Sequence, residues 1–289
     1  MPRYSILIIL ALLPGLALAQ ASFEKMKGRG QIVVNYRDDA APFSYADGKK
    51  QAIGYSLEFC NAMVAKIRAQ PSMAKLKVAY TQVPVDRMFT NVNEGSADLL
   101  CSGTSDTAER RNLVAFSPPI YFDGVGVMVR KKDNIASIDQ LKGKKVALIK
   151  ATTAAVAVND YLKKSGGGWK LEEVLNAESA LSQLQLGWSA GYARDRVPLA
   201  VQRAGAANAG DYAILPDRLS TEAIAIAYRK DDKAMQTLVE ATVAEAISSG
   251  KAHEWHDKWF IKPIFLGKST KALALPMPEE LKTAFSAKK

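Results

Sequence analysis

Short apolar runs alternate with amphipathic segments along the first third of the chain. The run at residues 31–36 is typical of a buried strand. Leu57, Cys60 and Val64 recur at the spacing of one helical face, which predicts a helix around them. Asp86 is placed to cap the helix that follows. Together these patterns predict strands at 31–36, 77–80 and 97–101, and helices at 56–69 and 86–93 with a stop at Gly95.

The same alternation returns in the second half of the chain. Its clearest helix runs from Met235 to Ile247, where apolar side chains recur at i, i+3, i+4 and i+7 before Gly250 ends the pattern. Three glycines at 166–168 lie between a helical and a strand-like segment and indicate a flexible turn. The pattern predicts strands at 145–149, 171–175, 189–194 and 212–215, and helices at 153–163, 179–186, 198–204 and 235–247.

This order of elements predicts an α/β protein with two lobes. Strands that alternate with helices indicate parallel sheets covered by helices. Two extended segments, 121–124 and 220–223, connect the two α/β units and are expected to act as hinge strands. We therefore expect lobe 1 to comprise residues 22–121 and 223–289, lobe 2 to comprise 122–222, and a ligand cleft to lie between them at the carboxyl ends of the strands.

The first 21 residues have the pattern of a secretory signal peptide. Arg3 precedes an apolar run at 5–13, which Pro14-Gly15 interrupts, and Ala-x-Ala sequences end at Ala19 and Ala21. The alternative is a membrane anchor, but the interrupted run is short for a span of about 20 apolar residues. We expect cleavage after Ala19 or Ala21 and a mature protein in the periplasm.

The chain is basic, with a formal net charge of +10. Its lysines and arginines are scattered, and no nucleic-acid-binding signature accompanies them, so we expect no nucleic-acid partner. A basic field around an exported protein is better suited to attracting an anionic ligand.

Two cysteines, Cys60 and Cys101, are present in a chain that we expect to be exported. They have no metal-binding spacing, so the alternatives are two buried thiols or one disulfide. The oxidising compartment favours the disulfide. Cys60 lies on the apolar face of a predicted helix and Cys101 ends a predicted strand of the same lobe, which is consistent with that pairing.

Motifs of common enzyme classes are missing from the sequence. There is no Gly-x-Ser-x-Gly elbow, no Walker loop and no Gly-x-Gly-x-x-Gly after a predicted strand. His253 and His256 are the only histidines, and the neighbouring sequence offers no further zinc ligands. We therefore predict no catalytic residue, no metal site and no cofactor.

Charged and hydroxyl side chains do follow several predicted strands. They are Arg37 after the first strand, the segment 102–105 and Arg110 after the third, and Thr152-Thr153 and Asp195 in the second unit. Each alone is typical of a turn or a cap. Together they suit a zwitterion, because arginine and helix N-termini bind carboxylates and aspartate binds an ammonium group.

With these side chains, the sequence resembles the amino-acid-binding proteins of ABC transporters, that is, solute-binding protein family 3 with the type II periplasmic binding protein fold. The glutamate/aspartate-binding branch is the most similar, and the resemblance covers nearly all of the mature chain. Its landmarks are residues 41–45 (Ala-Pro-Phe-Ser-Tyr), 53–56 (Ile-Gly-Tyr-Ser), 101–110 (Cys-Ser-Gly-Thr-Ser-Asp-Thr-Ala-Glu-Arg), 116–121 (Phe-Ser-Pro-Pro-Ile-Tyr), 139–146 (Asp-Gln-Leu-Lys-Gly-Lys-Lys-Val) and 255–260 (Trp-His-Asp-Lys-Trp-Phe).

The resemblance implies a role for each group at the cleft. Arg110 is expected to pair with the α-carboxylate of an amino acid, helped by Ser105 and the backbone amide of Thr153. Asp195 and the carbonyl of Gly103 are expected to hold the α-ammonium group.

The same resemblance implies an acidic ligand. In the acidic branch an arginine at the position of Arg37 binds the side-chain carboxylate, and a second arginine, for which Arg87 is the candidate, joins it. The sequence departs from the branch at four positions. Arg87 lies one residue away from the position expected for the second arginine, Ala151 replaces a glycine before the threonine pair, Ala177 replaces a histidine, and Arg196 directly follows Asp195.

The resemblance implies two partners: a small amino acid and the membrane permease of an ABC transporter. We expect the amino acid to be glutamate or aspartate ahead of neutral or basic ones. We expect the protein to be a monomer. Two alternatives remain open. One is an exported enzyme on the same fold, such as a cyclohexadienyl dehydratase, and the other is a ligand-sensing accessory module.

Overall fold

The computed structural model of the protein describes residues 21–266 and 269–287, so the predicted signal peptide lies outside the described residues except for its last position. The helices are α1 (Ala21–Arg29), α2 (Tyr55–Arg68), α3 (Met88–Glu94), α4 (Thr153–Lys164), α5 (Ala177–Leu186), α6 (Arg196–Gly205), α7 (Lys233–Ser248), α8 (Lys251–His256) and α9 (Glu279–Ser286). The strands are β1 (Gln31–Tyr36), β2 (Tyr45–Ala46), β3 (Ala52–Ile53), β4 (Lys77–Gln82), β5 (Leu99–Leu100), β6 (Ala115–Phe116), β7 (Tyr121–Asp123), β8 (Val125–Arg130), β9 (Lys145–Ile149), β10 (Lys170–Val174), β11 (Gly191–Asp195), β12 (Tyr212–Ile214), β13 (Glu222–Ile224), β14 (Ala227–Tyr228), β15 (Ile264–Leu266) and β16 (Ser269–Lys271).

Two five-stranded sheets organise the described part of the chain. The first has the strand order β4-β1-β5-β14-β6, and the second has the order β10-β9-β11-β8-β12. Helices α2, α3 and α7 cover the first sheet, and α4, α5 and α6 pack on the second. We call the two units the first lobe and the second lobe. The prediction of a two-lobed α/β protein is thus confirmed.

The sheets are mixed, because an antiparallel strand joins the predicted parallel strands in each of them. In each sheet the strands that alternate with helices are parallel, as predicted. The exceptions come from the crossings between lobes. β8 enters the second sheet directly after the first crossing and runs antiparallel to β11, and β14 enters the first sheet after the second crossing and runs antiparallel to β5.

Local sequence explains where several helices begin and end. The Oγ1 atom of Thr152 accepts a hydrogen bond from the amide of Ala155 at the start of α4, and Asn176 caps α5 in the same way through Ser179. Gly187 ends α5 in the left-handed conformation (φ 80°) that glycine adopts without cost. The predicted cap of α3 by Asp86 is wrong, because residues 84–87 form a turn and the helix begins at Met88.

The two connecting segments pair with each other as antiparallel strands. β7 and β13 bring Asp123 opposite Glu222 and Tyr121 opposite Ile224. The C-terminal segment contacts both lobes: α9 packs against β7 and buries Leu281 and Phe285, whereas β16 packs against α6. Within the described residues no helix is both long and apolar enough to cross a bilayer.

The predicted disulfide between Cys60 and Cys101 is confirmed. The two Cα atoms lie 6.3 Å apart, and both residues are fully buried in the core of the first lobe. The bond joins α2 to the end of β5. It therefore fixes the strand that leads directly into the loop at 102–105.

Candidate functional site

A cleft between the lobes contains most of the predicted ligand-binding residues. It measures about 1010 Å³, a volume that includes space open to solvent and that is in the range of small-molecule sites. Loops after β1, β5, β9, β10 and β11 converge there, as expected at the carboxyl ends of strands. The polar lining comprises Arg37, Asp39, Ser102, Gly103, Thr104, Ser105, Arg110, Asp123, Thr152, Thr153, Asn176, Arg194 and Asp195, and the apolar lining includes Phe43, Val85, Met88, Ile149, Leu175 and Ile224.

Arg110 is half-buried on the first-lobe side of the cleft. It begins a short 3-10 helix, and its Nη1 donates a 2.9 Å hydrogen bond to the carbonyl oxygen of Ser105. The guanidinium carbon lies 5.3 Å from the ring centre of Phe89. Burial lowers the pKa of Arg110, and the charges of Glu222 and Asp195 act in the opposite direction. An arginine remains charged at neutral pH despite such a shift, so this group offers the cleft a fixed cation.

Arg37 lies on the same side of the cleft, directly after β1. Its backbone is held by Ser44, whose Oγ donates to the carbonyl oxygen of Arg37 over 2.7 Å. The side chain is 18 % exposed and is paired with Asp39, whose side chain is 53 % exposed. The charge of Arg37 is among those that lower the pKa of Arg110, so the two guanidinium groups interact electrostatically. Both line the same cleft.

Asp195 faces these arginines from the second lobe. It ends β11, immediately before α6. Its Oδ1 is buried and accepts no hydrogen bond from any of the described residues. Burial, and after it the negative charge of Glu222, raises the pKa of Asp195 to about 6. A buried carboxylate oxygen without a donor at a cleft wall is suited to a cationic ligand group.

The start of α4 supplies backbone amides to the second-lobe wall. Thr152 uses its hydroxyl locally, because Oγ1 donates to the carbonyl oxygen of Ile149 at 2.8 Å and accepts from the amide of Ala155 at 3.3 Å. The first amides of the helix, beginning with that of Thr153, have no partner inside the helix and can bind an anion. Ala151, before them, has a φ of 59°.

Gly103 and Ser105 lie in the loop after β5. A Cβ atom on Gly103 would lie 2.7 Å from the ring of Phe43, so glycine permits the close packing of this loop. The Oγ atom of Ser105 donates to Oε2 of Glu222. The hydroxyl predicted to help bind a ligand carboxylate is therefore engaged with a hinge carboxylate.

Arg87 is not brought to the cleft. It is exposed at the N-terminus of α3, and Val85 and Met88 on either side of it line the cleft instead. Its predicted role as a second arginine for the ligand is not supported by this position. Arg196 does not enter the cleft either, because its Nη1 donates to the carbonyl oxygens of Leu215 and Asp217 at 2.7 and 3.1 Å.

Two hinge carboxylates were not predicted from the sequence. Asp123 accepts hydrogen bonds from the amides of Gly124 and Val197, and burial, followed by the charge of Asp195, raises its pKa to about 8. Glu222 accepts from Ser105. The sequence signal that could have revealed them is a carboxylate in each of the two connecting segments, 121–124 and 220–223.

Comparison with known proteins is consistent with this architecture. The sequence pattern of the bacterial extracellular solute-binding proteins, family 3, matches residues 32–262. A glutamate/aspartate import solute-binding protein from Salmonella typhimurium is 27% identical over 97% of this chain and 95% of its own length. A protein of the same description from Escherichia coli strain K12 is 29% identical over 89% of this chain and 88% of its own length.

Solved structures of amino-acid-binding proteins share the fold. An ancestral arginine-binding protein bound to arginine superimposes with a TM-score of 0.68 at 25% identity, covering 80% of this chain and 99% of that one. An ancestral amino acid-binding protein described as a precursor of cyclohexadienyl dehydratase gives a TM-score of 0.68 at 23% identity, covering 82% of this chain and 98% of that one.

Proposed function

This chain belongs to the bacterial extracellular solute-binding proteins, family 3, and we propose that it captures a small amino acid between its lobes and delivers it to the permease of an ABC transporter. The observation that carries the proposal is the opposition of Arg110 and Asp195 across one cleft. A cation on one wall, and on the facing wall a carboxylate oxygen that accepts no hydrogen bond from the described residues, match the two charges of an amino acid.

The proposed binding mode uses groups from both lobes. Arg110 of the first lobe and the Thr153 amide of the second lobe hold the α-carboxylate. Asp195 and the carbonyl oxygen of Gly103 hold the α-ammonium group. Because the ligand contacts both lobes, it favours a closed arrangement in which β7 and β13 act as the hinge.

The proposed ligand is glutamate or aspartate. Arg37 supports this choice because it directs a second guanidinium group to the cleft, where it can bind a side-chain carboxylate. The relatives from Salmonella typhimurium and Escherichia coli, whose names specify glutamate/aspartate import, also support it. Only Nη2 of Arg37 is paired with Asp39, so other N–H groups of the guanidinium can donate to a ligand carboxylate.

Delivery to a permease implies export of the protein. The signal-like residues 1–21 and the Cys60–Cys101 disulfide support a periplasmic location. The family description, which specifies extracellular proteins, also supports it. We propose a monomer that docks on the permease after closing on its ligand.

A binding screen tests this function. The purified mature protein is heated with each of the twenty amino acids, and a bound ligand is expected to raise its melting temperature. Calorimetry then compares the wild type with Arg110→Ala. Removing one partner of a desolvated ion pair costs about 3–5 kcal/mol, so affinity should fall at least about a hundredfold.

Arg111→Ala is the matched control. Arg111 is the next residue, but its side chain is 66 % exposed and is paired with Asp106. This variant should bind like the wild type. Unchanged affinity in Arg110→Ala would remove the central claim, and the absence of a thermal shift with every amino acid would remove the proposed function.

An enzyme of the cyclohexadienyl dehydratase type is the second candidate, and one observation favours it. Asp195 is a cleft carboxylate whose pKa is raised to about 6, chiefly by burial, so it can donate a proton near neutral pH. Incubation with prephenate or arogenate decides between the two functions. Formation of the dehydrated and decarboxylated product would support the enzyme, and its absence would exclude it.

A further inference from the structure

The two hinge strands bring an additional carboxylate next to Ser105, which lines the cleft. Glu222 lies directly opposite Asp123 in the antiparallel pair of β13 and β7. It also contacts the first-lobe loop at 102–105, because the Oγ atom of Ser105 donates to its Oε2 over 2.5 Å. Glu222 is therefore placed where the hinge meets the cleft.

The charge of Glu222 is not neutralised by the groups that bind it. Its second oxygen, Oε1, accepts a 3.0 Å hydrogen bond from the Oγ atom of Ser220. Both partners are neutral hydroxyls, which orient the carboxylate and leave its negative charge in place. Asp123 accepts hydrogen bonds from backbone amides, whereas Glu222 accepts them from serine hydroxyls. The two hinge carboxylates are therefore held in different ways.

Glu222 acts electrostatically on both proposed anchors. After burial, its charge is the largest cause of the raised pKa of Asp195, and it also opposes the effect of burial on the pKa of Arg110. A negative charge within reach of both groups stabilises a cation near Asp195 and weakens the field that Arg110 presents to an anion.

We propose that Glu222 is a specificity-determining residue whose charge selects ligands that carry an ammonium group over otherwise equal ligands that carry carboxylates alone. The inference rests on the proposed function and deepens it. A ligand with an ammonium group brings a positive charge to the region of Glu222 and Asp195. A plain dicarboxylate with the same two carboxylates lacks that positive charge and therefore gains no attraction to these two side chains.

No metal site is implied by this arrangement. Within residues 21–266 and 269–287, no three histidine, cysteine or acidic side chains are arranged as a set of metal ligands.

The test uses a pair of ligands that differ only in the ammonium group, L-glutamate and glutarate. Their dissociation constants are measured at pH 7 by calorimetry, with glutarate measured by competition where it binds weakly. In Glu222→Gln the ratio of the glutarate constant to the glutamate constant should fall at least about fivefold. Glutamine preserves the size of the side chain and an oxygen that accepts from a serine hydroxyl.

Two further variants separate charge from structure. Glu222→Asp keeps the charge and shortens the side chain, so its ratio should remain close to that of the wild type. Glu109→Gln removes an equal charge from an exposed residue that also acts on Arg110. That control should leave the ratio unchanged.

The outcomes are distinct. If Glu222→Gln weakens both ligands by the same factor, Glu222 only supports the hinge and the inference is overturned. If the Glu222→Asp ratio falls as far as that of Glu222→Gln, the hydrogen bond to Ser105 matters and the charge does not, which also overturns it. A wild type that binds neither ligand overturns the inference together with the acidic ligand proposed above, whereas normal glutamate binding with an unchanged ratio overturns the inference alone.

Discussion

At the scale of single residues, the two cleft arginines have different surroundings. Arg110 is oriented by the carbonyl oxygen of Ser105 and the ring of Phe89, neither of which competes with an anion. Arg37 is already paired through Nη2 with Asp39, so an anionic ligand shares this guanidinium group with a carboxylate of the protein. Arg110 is therefore suited to a contact common to all amino acids, and Arg37 to one that discriminates between side chains.

Arg37→Met should relax the preference for acidic ligands. We expect the ratio of glutamine to glutamate dissociation constants to fall about tenfold or more, because a charge-assisted hydrogen bond contributes about 1.5–3 kcal/mol. Calorimetry with both amino acids measures the ratio, and Arg68→Met, at an exposed position of α2, is the control. A wild type that prefers lysine or leucine would instead make Arg37 a structural turn residue.

Ala151→Gly should stabilise the protein. Ala151 has a φ of 59°, a left-handed conformation that costs an L-residue about 1–2 kcal/mol and a glycine almost nothing. Glycine also destabilises the folded state by about 0.5–1 kcal/mol, because it loses more chain entropy on folding than alanine does. Subtracting this cost from the relieved strain gives a net gain of about 0.5–1 kcal/mol in the free energy of unfolding.

Urea denaturation of the ligand-free protein measures that gain. Ala154→Gly is the matched control, because Ala154 is buried in the first turn of α4 and has no such strain. It should lose about 1 kcal/mol. Destabilisation by both substitutions would show that the backbone at Ala151 stores no strain that glycine relieves.

At the scale of elements, the sequence predicts best where a segment is long and buried. The bounds of β1 and β9 agree with their apolar runs, and the helical stripe of α7 is confirmed. Strands of two residues, such as β6 and β14, are too short to show a period, and their pairing comes from residues distant in the chain. The helix α1 went unpredicted because its sequence is polar and lacks a clear apolar stripe.

The residues of the candidate site were also predicted well where local sequence determines their position, and poorly where contacts distant in the chain determine it. All predicted ligand-binding residues except Arg87 line the cleft, because residues that follow parallel strands converge at one edge of a sheet. Arg87 lies outside the lining of the cleft, and its position depends on where α3 begins, which a single capping residue fixes poorly. Glu222 was missed because its neighbours are defined only by the pairing of β7 with β13.

The disulfide between α2 and the end of β5 should contribute to stability and leave ligand affinity nearly unchanged. It closes a loop across a sequence separation of 41 residues. Replacing both cysteines by alanine should lower the free energy of unfolding by up to about 4 kcal/mol on the chain-entropy account. Both cysteines are buried in the first lobe, so motion between the lobes remains free.

Denaturation and calorimetry of this double variant check both expectations. Mass analysis of exported protein, alkylated without reduction, provides the control for the wild type: two added alkyl groups would mean two free thiols. An unchanged melting temperature, or a loss of affinity greater than about tenfold with the fold intact, would contradict the assigned role.

At the scale of the whole molecule, the charges of both lobes and of the hinge meet at one place. Asp195 of the second lobe is surrounded by Glu222 and Asp123 of the hinge strands, Arg194 of its own strand and Arg110 of the first lobe. Any ligand that closes the lobes must therefore change the balance between these carboxylates and guanidinium groups. We therefore expect ligand binding to change the protonation of these carboxyl groups.

Ligand affinity should fall as the pH falls through about 6. Burial, followed by the charge of Glu222, raises the pKa of Asp195 to about 6 in the free protein, so below that pH its carboxylate is largely protonated. An ammonium group next to Asp195 favours the charged form and lowers its pKa in the complex. Binding then releases a proton, and by linkage the affinity falls by up to about tenfold for each unit of pH below 6.

Calorimetry of L-glutamate between pH 5.5 and 7.5 measures this dependence, because the ligand's own carboxylates, with pKa values of about 4.3 and below, stay charged over that interval. Buffers with different ionisation enthalpies count the protons released. Asp195→Asn is the matching variant: it should bind weakly at every pH and release fewer protons than the wild type, since the amide that replaces the Asp195 carboxyl group does not titrate in this range. An affinity that stays constant from pH 5.5 to 7.5 in the wild type would mean that Asp195 is charged before the ligand arrives, and that the surrounding cations outweigh burial and the hinge carboxylates.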